Sequence, residues 1–281
     1  MDLRLTSTAV GCTTFKGDFA ALIHKLRFDN GDTVLTSWSI DACARLIAVL
    51  SQHLNPLDSI AINTAAEDLF QSKEGRLTQA EVEMPGLDSV VGEILGVSVG
   101  RELHVTLRFT NSGDAKVIVL GLDEARCLMG YSGNTLQHAG VLEKVVVASH
   151  HYVQPITLFT CSFSSGGEKI HHTRNEDIDP NHYNLLPNLY SVTVVDNSNP
   201  AKKQVVGGFL LKTIDTSGQP GFQNSVLEIM SSTPGFITLE KSKISYVTVR
   251  MGVSDGGQMT EKEMLHHFIE QYTTYSVTGN A

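Results

Sequence analysis

The sequence predicts an α+β protein, built from mainly antiparallel sheets with a few helices packed on one face. Two observations support this prediction. Runs of β-branched and aromatic residues mostly follow one another along the chain instead of alternating with helices, and this order favours antiparallel strands. Clear helix signals, either the spacing of apolar residues or the capping residues of a helix start, occur in three stretches.

The clearest helix is predicted after Ser39, whose hydroxyl can accept a hydrogen bond from the open amides of a first turn. Its apolar residues recur at three- and four-residue steps and comprise Ile40, Cys43, Ile47, Leu50 and Leu54. Pro56 ends this pattern. The spacing of a capping box predicts two further helices, a short one from Thr64 and a last one from Thr260.

Strands are predicted in the remaining apolar segments. Their ranges are Leu103–Phe109, Lys116–Leu120, Lys144–Ala148, Ile156–Phe163, Tyr190–Val195, Gln204–Lys212, Phe236–Leu239 and Ile244–Met251. The turn-forming residues 196–200 separate two of these runs, which predicts a hairpin of Tyr190–Val195 with Gln204–Lys212. The last two runs are predicted to form another pair.

An internal likeness suggests a duplicated strand-turn-strand-helix unit. Residues 26–31 resemble residues 107–112, and both segments lead through a Gly-Asp turn into a β-branched run. Each run is followed by an Ala-Arg pair, Ala44-Arg45 in the first segment and Ala125-Arg126 in the second, at the same distance from its turn. Hairpin turns commonly use Asn, Asp and Gly, so turn chemistry alone is the competing explanation. A weaker third copy begins at residues 249–251 and continues into Asp255-Gly256-Gly257.

Glycines near position 140 suggest a boundary between two halves. Residues 1–140 would form an N-terminal half with both repeat units, and residues 141–281 a β-rich half that ends in a helix. The alternative is a single domain of 281 residues.

Composition argues against several classes of protein. The chain has 21 Lys and Arg against 30 Asp and Glu, a net charge of −9, which disfavours binding to nucleic acid or to an anionic membrane surface. No apolar run approaches the ~20 residues that span a bilayer. Four widely spaced cysteines without a CxxC pair favour a cytoplasmic protein with free, buried thiols.

The sequence motifs identify neither a catalytic residue nor a cofactor site. Gly96-Val97-Ser98-Val99-Gly100 has the spacing of a hydrolase nucleophile elbow, but the residues after it alternate like a strand, and the elbow requires a helix there. Glycine patterns that cradle phosphates are also absent. We therefore predict no cofactor apart from a candidate divalent metal, and no catalytic residue.

The metal candidate lies in the long segment from Ser164 to Asn188, which has little periodicity and is predicted to be an exposed excursion from the sheet. Imidazoles and carboxylates are suitable ligands for first-row metals, although their spacing here fits no standard zinc pattern. The candidate ligands are His171, His172, Asp177, Asp179 and His182. Candidate residues for partner binding in the same segment are Arg174, Glu176 and Tyr183. The pairs His150-His151 and His266-His267 are adjacent in sequence, so neither pair readily shares one metal.

The leading hypothesis from sequence is a non-catalytic intracellular protein that interacts with or regulates others. Antiparallel sheets offer edges that pair with a protein partner or with a second copy. One alternative is an enzyme with a dispersed site, such as a metal-assisted hydrolase that uses the segment His171–His182. Another is a structural subunit of a larger assembly.

Overall fold

The computed structural model describes residues 3–54, 76–164, 169–199, 203–237, 243–252 and 259–278. These ranges contain eleven strands and eight helices, and they confirm the α+β class. The chain divides into two compact units, residues 1–153 and 154–281.

The first unit contains a six-stranded sheet with the strand order β3-β2-β1-β6-β5-β4. Its strands are β1 (Leu3–Phe15), β2 (Asp18–Phe28), β3 (Thr33–Trp38), β4 (Val91–Val99), β5 (Glu102–Phe109) and β6 (Ala115–Leu120). Its helices are α1 (Ile40–His53), α2 (Gln79–Glu83), α3 (Leu122–His138) and α4 (Leu142–Val153). Helices α1 and α3 pack on the same core, because side chains from both helices and from the strands line one small apolar cavity.

Both predicted repeat segments are strand-turn-strand-helix units. Residues 26–54 run from the end of β2 through β3 into α1, and residues 107–139 run from the end of β5 through β6 into α3. Phe28 and Phe109 are both buried at the start of the turn. In each turn a glycine with positive φ, Gly31 or Gly113, donates its N–H to the carbonyl of that phenylalanine over 3.0 Å.

The likeness of the two units extends to the junctions of the sheet. Strand β1 pairs with β6 in parallel at Arg4 and Val119, and Ser37 of β3 forms a parallel bridge with Val90, next to β4. The two junctions have matching hydrogen bonds, because Asp29 N–H donates to the Arg4 carbonyl and Thr110 N–H to the Val90 carbonyl. Strands β1–β3 therefore correspond to β4–β6, and the junction of β1 with β6 corresponds to the junction of β3 with the start of β4.

The Ala-Arg pairs of the two repeat segments differ by one position in their placement along the helix. In the first turn, Phe28 N–H donates to the Asp32 carbonyl. In the second turn, Phe109 N–H donates to the Asp114 carbonyl, so this turn is longer by one residue. Helix α3 therefore begins one position later, relative to its turn, than helix α1 does. The Ala-Arg pairs keep the same distance from their turns, so they do not occupy equivalent helix positions. The turn of the weaker third copy lies outside the described residues.

Helix α1 begins where the sequence predicted. The Ser39 hydroxyl accepts a hydrogen bond from the Ala42 amide over 3.2 Å, and Leu50 is fully buried. The charged Arg45 of this helix is also buried. It donates to the Gly92 carbonyl over 2.9 Å and forms an ion pair with Asp41 over 2.9 Å. The predicted end at Pro56 and the short helix from Thr64 lie outside the described residues.

The strand predicted at Lys144–Ala148 is wrong, because this segment belongs to helix α4. Val145, Ser149 and Tyr152 are its buried residues, and their three- and four-residue spacing is helical. Tyr152 also donates its hydroxyl proton to Asp41. Packing against α1 thus overrides the β preference of a valine run. Gly140, where the sequence suggested a boundary, has a φ of +71° and lies between α3 and α4.

The second unit contains a five-stranded sheet with the order β11-β9-β10-β7-β8. Its strands are β7 (Ile156–Phe163), β8 (Ile170–Arg174), β9 (Asn188–Asp196), β10 (Gln204–Thr213) and β11 (Ile244–Met251). Its helices are α5 (Pro180–Leu185), α6 (Pro220–Ser232), α7 (Pro234–Ile237) and α8 (Glu261–Thr278). The predicted hairpin of β9 with β10 is confirmed. The predicted pair of Phe236–Leu239 with β11 is wrong, because Phe236 lies in α7 and β11 pairs with β9.

Helices cover both faces of this second sheet, rather than one. Leu210 packs with Met264 and Phe268 of α8, whereas its neighbour Phe209 packs with Phe222 of α6 on the opposite face. Neighbouring strand residues point to opposite faces, so the central strands must be apolar on both sides. The first eight residues of β9 are accordingly all buried.

Two further sequence expectations can be compared with the structure. The capping box of the last helix is confirmed, because Thr260 and Glu263 each bond the other's backbone amide. The four cysteines are free thiols, and three of them, Cys43, Cys127 and Cys161, are buried. Within the described ranges, no helix combines the length and the apolar character needed to cross a membrane.

A buried pair of polar side chains, His24 and Ser132, breaks the internal symmetry in the core of the first unit. His24 is fully buried, and its Nε2 lies 3.1 Å from the hydroxyl oxygen of Ser132. Ser132 donates its own proton to the Leu128 carbonyl over 2.6 Å, so His24 Nε2–H must donate to Ser132. Burial lowers the pKa of His24 to about 3. In the other repeat the equivalent positions hold Val105 and Leu50, both buried.

We predict that the double variant H24V/S132L, which copies the apolar pair of the other repeat, removes a part of the acid sensitivity of the fold. His24 has a folded pKa far below its unfolded value of 6.5, so the unfolded chain takes up the proton as the pH falls from 6.5 towards 3. Wild-type stability should therefore fall in that window, with His24 contributing up to ~1.4 kcal/mol per pH unit.

Urea unfolding followed by circular dichroism between pH 7.5 and 4.5 measures this difference. The single variant S132L should be less stable than the double variant, because it leaves the buried His24 imidazole without the hydroxyl that accepts its N–H. Parallel pH dependences of the wild type and the double variant would contradict the assignment.

The second fold prediction concerns Leu50, which is 0% exposed on α1. Leu50→Ala should lower the free energy of unfolding by roughly 2–5 kcal/mol, because it removes apolar contacts and leaves a cavity. Val147→Ala is the matched control, since Val147 is 67% exposed on a neighbouring helix, and it should change stability by less than about 0.5 kcal/mol. Denaturant unfolding measures the free energy of unfolding of both variants. An equal loss of stability in the two variants would show that Leu50 does not belong to the core.

Candidate functional site

A shallow depression lies beside β8 at the edge of the second sheet. Its volume is about 460 Å³. Two strands and the loop after β8 form its lining, which comprises Thr157, Phe159, Thr160, Thr173, Arg174, Asn175, Glu176 and Asp177. Five of these eight residues, 173–177, belong to the segment that the sequence singled out.

Asn175 holds the wall of this depression in place. Its backbone N–H donates to the Leu158 carbonyl over 3.0 Å, and its side-chain amide donates to the Thr157 carbonyl over 3.3 Å. Its side-chain oxygen accepts the Asp177 amide over 3.3 Å, which ties together the residues that follow β8. The loop thus leaves the sheet with a defined direction, and the carboxylates that follow are held beside β8.

The charged groups of the depression are available to a ligand. Arg174 is half-buried, and the described residues offer its guanidinium neither a hydrogen bond nor an ion pair. The same is true of the exposed carboxylates of Glu176 and Asp177 within the described part of the chain. Two of the three residues predicted for partner binding therefore share this site. A ligand that carries both a positive and a negative group would match it.

The two candidate metal ligands on β8 point to opposite faces of the sheet. His172 stacks on Phe159 with ring centroids 5.8 Å apart, and its Nε2 lies 2.7 Å from a carboxylate oxygen of Glu261 at the start of α8. His171, its neighbour in the strand, lies across from Ser162 and faces the other side.

Of the other three candidate ligands, Asp177 lines the depression, and Asp179 and His182 belong to the start and the buried side of α5. Asp179 is the N-cap of α5 and accepts the Asn181 amide over 2.9 Å. His182 is buried, and its Nε2 lies 2.9 Å from the Gln154 carbonyl oxygen. The structure does not bring the five candidates into one cluster. Among the described residues, no group of three His, Cys, Asp or Glu side chains is placed to hold a metal ion.

The prediction of an excursion from the sheet between Ser164 and Asn188 is wrong for the part that the structure describes, although residues 169–173 and 175–177 are exposed as predicted. Residues 170–174 form β8, which extends the sheet, and residues 180–185 form α5. Leu185 and Leu186 are buried and anchor this segment. The short apolar sequence Leu185-Leu186 was too brief to show a period, and this is why the sequence pattern missed the anchor.

Sequence reasoning also missed Lys212 of β10, a lysine that is only 4% exposed. Its Nζ lies 3.7 Å from the ring centre of Tyr183, a cation–π contact. Burial lowers the pKa of Lys212 to about 8. Tyr183, the third residue predicted for partner binding, is thus half-buried beneath this lysine. The sequence signal that could have identified Lys212 is its position directly after the apolar run Phe209-Leu210-Leu211.

The Gly-x-Ser-x-Gly sequence lies in a hairpin, as its alternation predicted. Ser98 belongs to β4, and the turn after it leads into β5. The Ser98 hydroxyl oxygen lies 2.9 Å from His53 Nδ1. Burial lowers the pKa of His53, and a hydrogen bond with the Arg101 backbone partly offsets this effect. Within the described chain no carboxylate contacts His53, so this pair lacks the acid that orients the base of a catalytic triad.

The two other histidine pairs lie on helices. His150 and His151 are exposed at the end of α4, and not beyond a strand as the sequence suggested. On α8, His267 Nε2 lies 2.7 Å from the Ser191 hydroxyl, whereas His266 lies 3.1 Å from Glu270. Adjacent residues of a helix thus contact different partners, as predicted from their spacing.

We predict that Lys212→Met stabilises the protein near pH 7. The folded pKa of Lys212, about 8, lies below the usual value of 10.5, so the folded state holds the charge at a cost. Removing the charge while keeping an unbranched side chain should raise the free energy of unfolding by about 1–3 kcal/mol. The wild type should in turn gain stability as the pH rises from 8 to 10.5, and the variant should lack this gain.

Chemical unfolding at pH 7 and pH 9 tests this prediction. Lys203→Met is the control, because Lys203 is exposed just before the same strand and should have an effect below about 0.5 kcal/mol. A Lys212→Met variant that is less stable than the wild type at pH 7 would show that the contact with Tyr183 outweighs the cost of burial.

The site at β8 thus combines a strand edge that no described strand pairs, charges of both signs that no described residue pairs, and hydroxyl groups in a shallow depression. Such a surface can bind a polar segment by hydrogen bonds and ion pairs. No family model, no curated protein and no solved structure matches this chain.

Proposed function

We propose that this chain is a non-catalytic protein-binding module, and that it takes an extended segment of a partner protein along the edge of β8 that no described strand pairs. The observation that carries the proposal is the position of the charged depression. It lies directly beside an edge strand, where main-chain pairing and side-chain recognition can act together.

The backbone groups at this edge can be assigned from the hydrogen bonds on either side of β8. Ser164 N–H donates to the Lys169 carbonyl, and Asn175 N–H donates to the Leu158 carbonyl, so residues 169 and 175 face β7. Backbone direction alternates along an antiparallel strand. The N–H and C=O groups of Ile170, His172 and Arg174 therefore point away from β7, towards a partner strand.

Side chains give this pairing its specificity. Arg174 offers two donors for a carboxylate in a fixed planar arrangement, which favours an aspartate or glutamate of the partner. Glu176 and Asp177 lie two and three positions after Arg174 and favour a basic side chain of the partner. Alternate residues of a strand lie ~7 Å apart on one face, so the preferred segment carries one acidic and one basic residue with this separation.

The edge is held before any partner arrives. Asn175 fixes the loop at one end, and His172 is held by its contacts with Glu261 and Phe159. A preformed edge loses less conformational entropy on binding than a disordered one. A partner therefore bears most of the ordering cost.

We predict that selection from a displayed library of random peptides on the full-length chain enriches sequences that contain an acidic and a basic residue. A synthetic copy of the enriched peptide should bind wild type, and Arg174→Ala should weaken binding by about tenfold or more. Ile170→Pro should also weaken it, because proline removes one outward N–H at the first residue of the strand. Fluorescence anisotropy gives the dissociation constants.

Arg108→Ala is the matched control, since Arg108 is an exposed arginine of a strand in the other unit. It should leave peptide binding unchanged. The proposal fails if selection enriches no peptide, or if the enriched peptides bind the wild type and the Arg174→Ala variant equally well.

A further inference from the structure

Strand β11, at the opposite edge of the second sheet, has few of the features that usually protect an edge. Its eight residues contain no proline and no lysine, Arg250 is their single charge, and the strand pairs with β9 in a continuous register without a bulge. Edge strands of natural proteins commonly carry one of these features to prevent unwanted pairing. Among the described residues, β9 is its only strand partner.

The side chains of β11 leave apolar groups exposed at this edge. Val247 and Val249 are 39% and 47% exposed, and they lie across from Thr193 and Ser191 of β9. Helix α8 reaches these β9 residues through Gln271 and His267. The two valines therefore extend beyond the cover that α8 provides.

The outward backbone groups of β11 belong to its even-numbered residues. Asn197 N–H donates to the Lys243 carbonyl, so residue 243 faces β9 in the register of this pair. The direction alternates along the strand, which leaves the N–H and C=O groups of Ile244, Tyr246, Thr248 and Arg250 pointing outward.

We propose that β11 pairs with β11 of a second copy of this chain, in antiparallel fashion, around a twofold axis at Thr248. Thr248 then faces its own counterpart, and Tyr246 faces Arg250 of the second copy. These are the residues whose backbone groups point outward, so about six new hydrogen bonds form across the axis.

This register is self-complementary. Val247 of each copy faces Val249 of the other copy. Both are non-hydrogen-bonded pairs, in which opposite side chains come closest. On the other face the Arg250 position lies opposite Tyr246, so the single charge of the strand does not meet itself. The Arg250 guanidinium keeps its hydrogen bond to Asn188 Oδ1 of its own copy over 2.8 Å. A shift by two residues in either direction places only one valine opposite its own copy, and it separates Arg250 from Tyr246.

The two sheets would join into one sheet of ten strands across the axis. An eight-residue strand buries less than the roughly 1,200–2,000 Å² of a typical stable interface. The association should therefore be reversible and depend on concentration, with a dissociation constant of roughly 1–100 µM. The β11 edge is separate from the β8 edge, so the failure of one proposal would not affect the other.

The test is sedimentation equilibrium of the full-length chain and of three double variants. V247K/V249K places like charges opposite one another and should weaken dimerisation by at least about tenfold. V247E/V249K places opposite charges face to face only in the proposed register, and it should dimerise within about threefold of wild type. V97K/V99K makes the same change at two exposed valines of β4 and should dimerise like wild type.

Thermal unfolding should confirm that all variants fold, since the four valines are exposed. The proposal is overturned if wild type is monomeric throughout this concentration range, or if V247K/V249K dimerises as well as wild type. The register is wrong if V247E/V249K is as weak as V247K/V249K. Loss of dimerisation in V97K/V99K alone would move the interface to the other unit.

Discussion

Backbone N–H and C=O groups at the ends of a sheet need hydrogen-bond partners, and the two units of this chain meet this need differently. The first unit joins its six strands at two equivalent parallel junctions, where Arg4 meets Val119 and Val90 meets Ser37. The second sheet ends at β8 and β11, whose outward groups no described strand receives. Both proposed interactions arise from these two open edges.

Internal symmetry explains the architecture of the first unit but not its polar core. The two groups of strands are related residue by residue through their turns and junctions, with one extra residue in the second turn. His24 and Ser132 replace the apolar pair that the other repeat holds at Val105 and Leu50. A buried imidazole that remains neutral keeps its hydrogen bond, but it makes the fold sensitive to acid.

The candidate site shows how far local sequence reasoning reached. It identified Arg174, Glu176 and Asp177 because a polar, aperiodic segment is unusual within a compact protein. It could not separate these from Asp179 and His182, which cap and anchor a short helix. It also treated the segment as an excursion, because five residues of strand and six of helix are too short to show a period. Lys212 was missed because its partner Tyr183 belongs to a different element, far from it in the chain.

The sequence by itself determined the α+β class, the β9–β10 hairpin, the caps of the first and last helices, and both strand-turn-strand-helix segments. These features depend on contacts between residues close in the chain, where turn residues and apolar spacing act directly. Only the tertiary structure decided that Val145–Val147 lie in a helix, that β11 pairs with β9, and that α6 and α8 cover opposite faces of one sheet. Those outcomes depend on which distant surfaces bury one another, and burial overrides local preference.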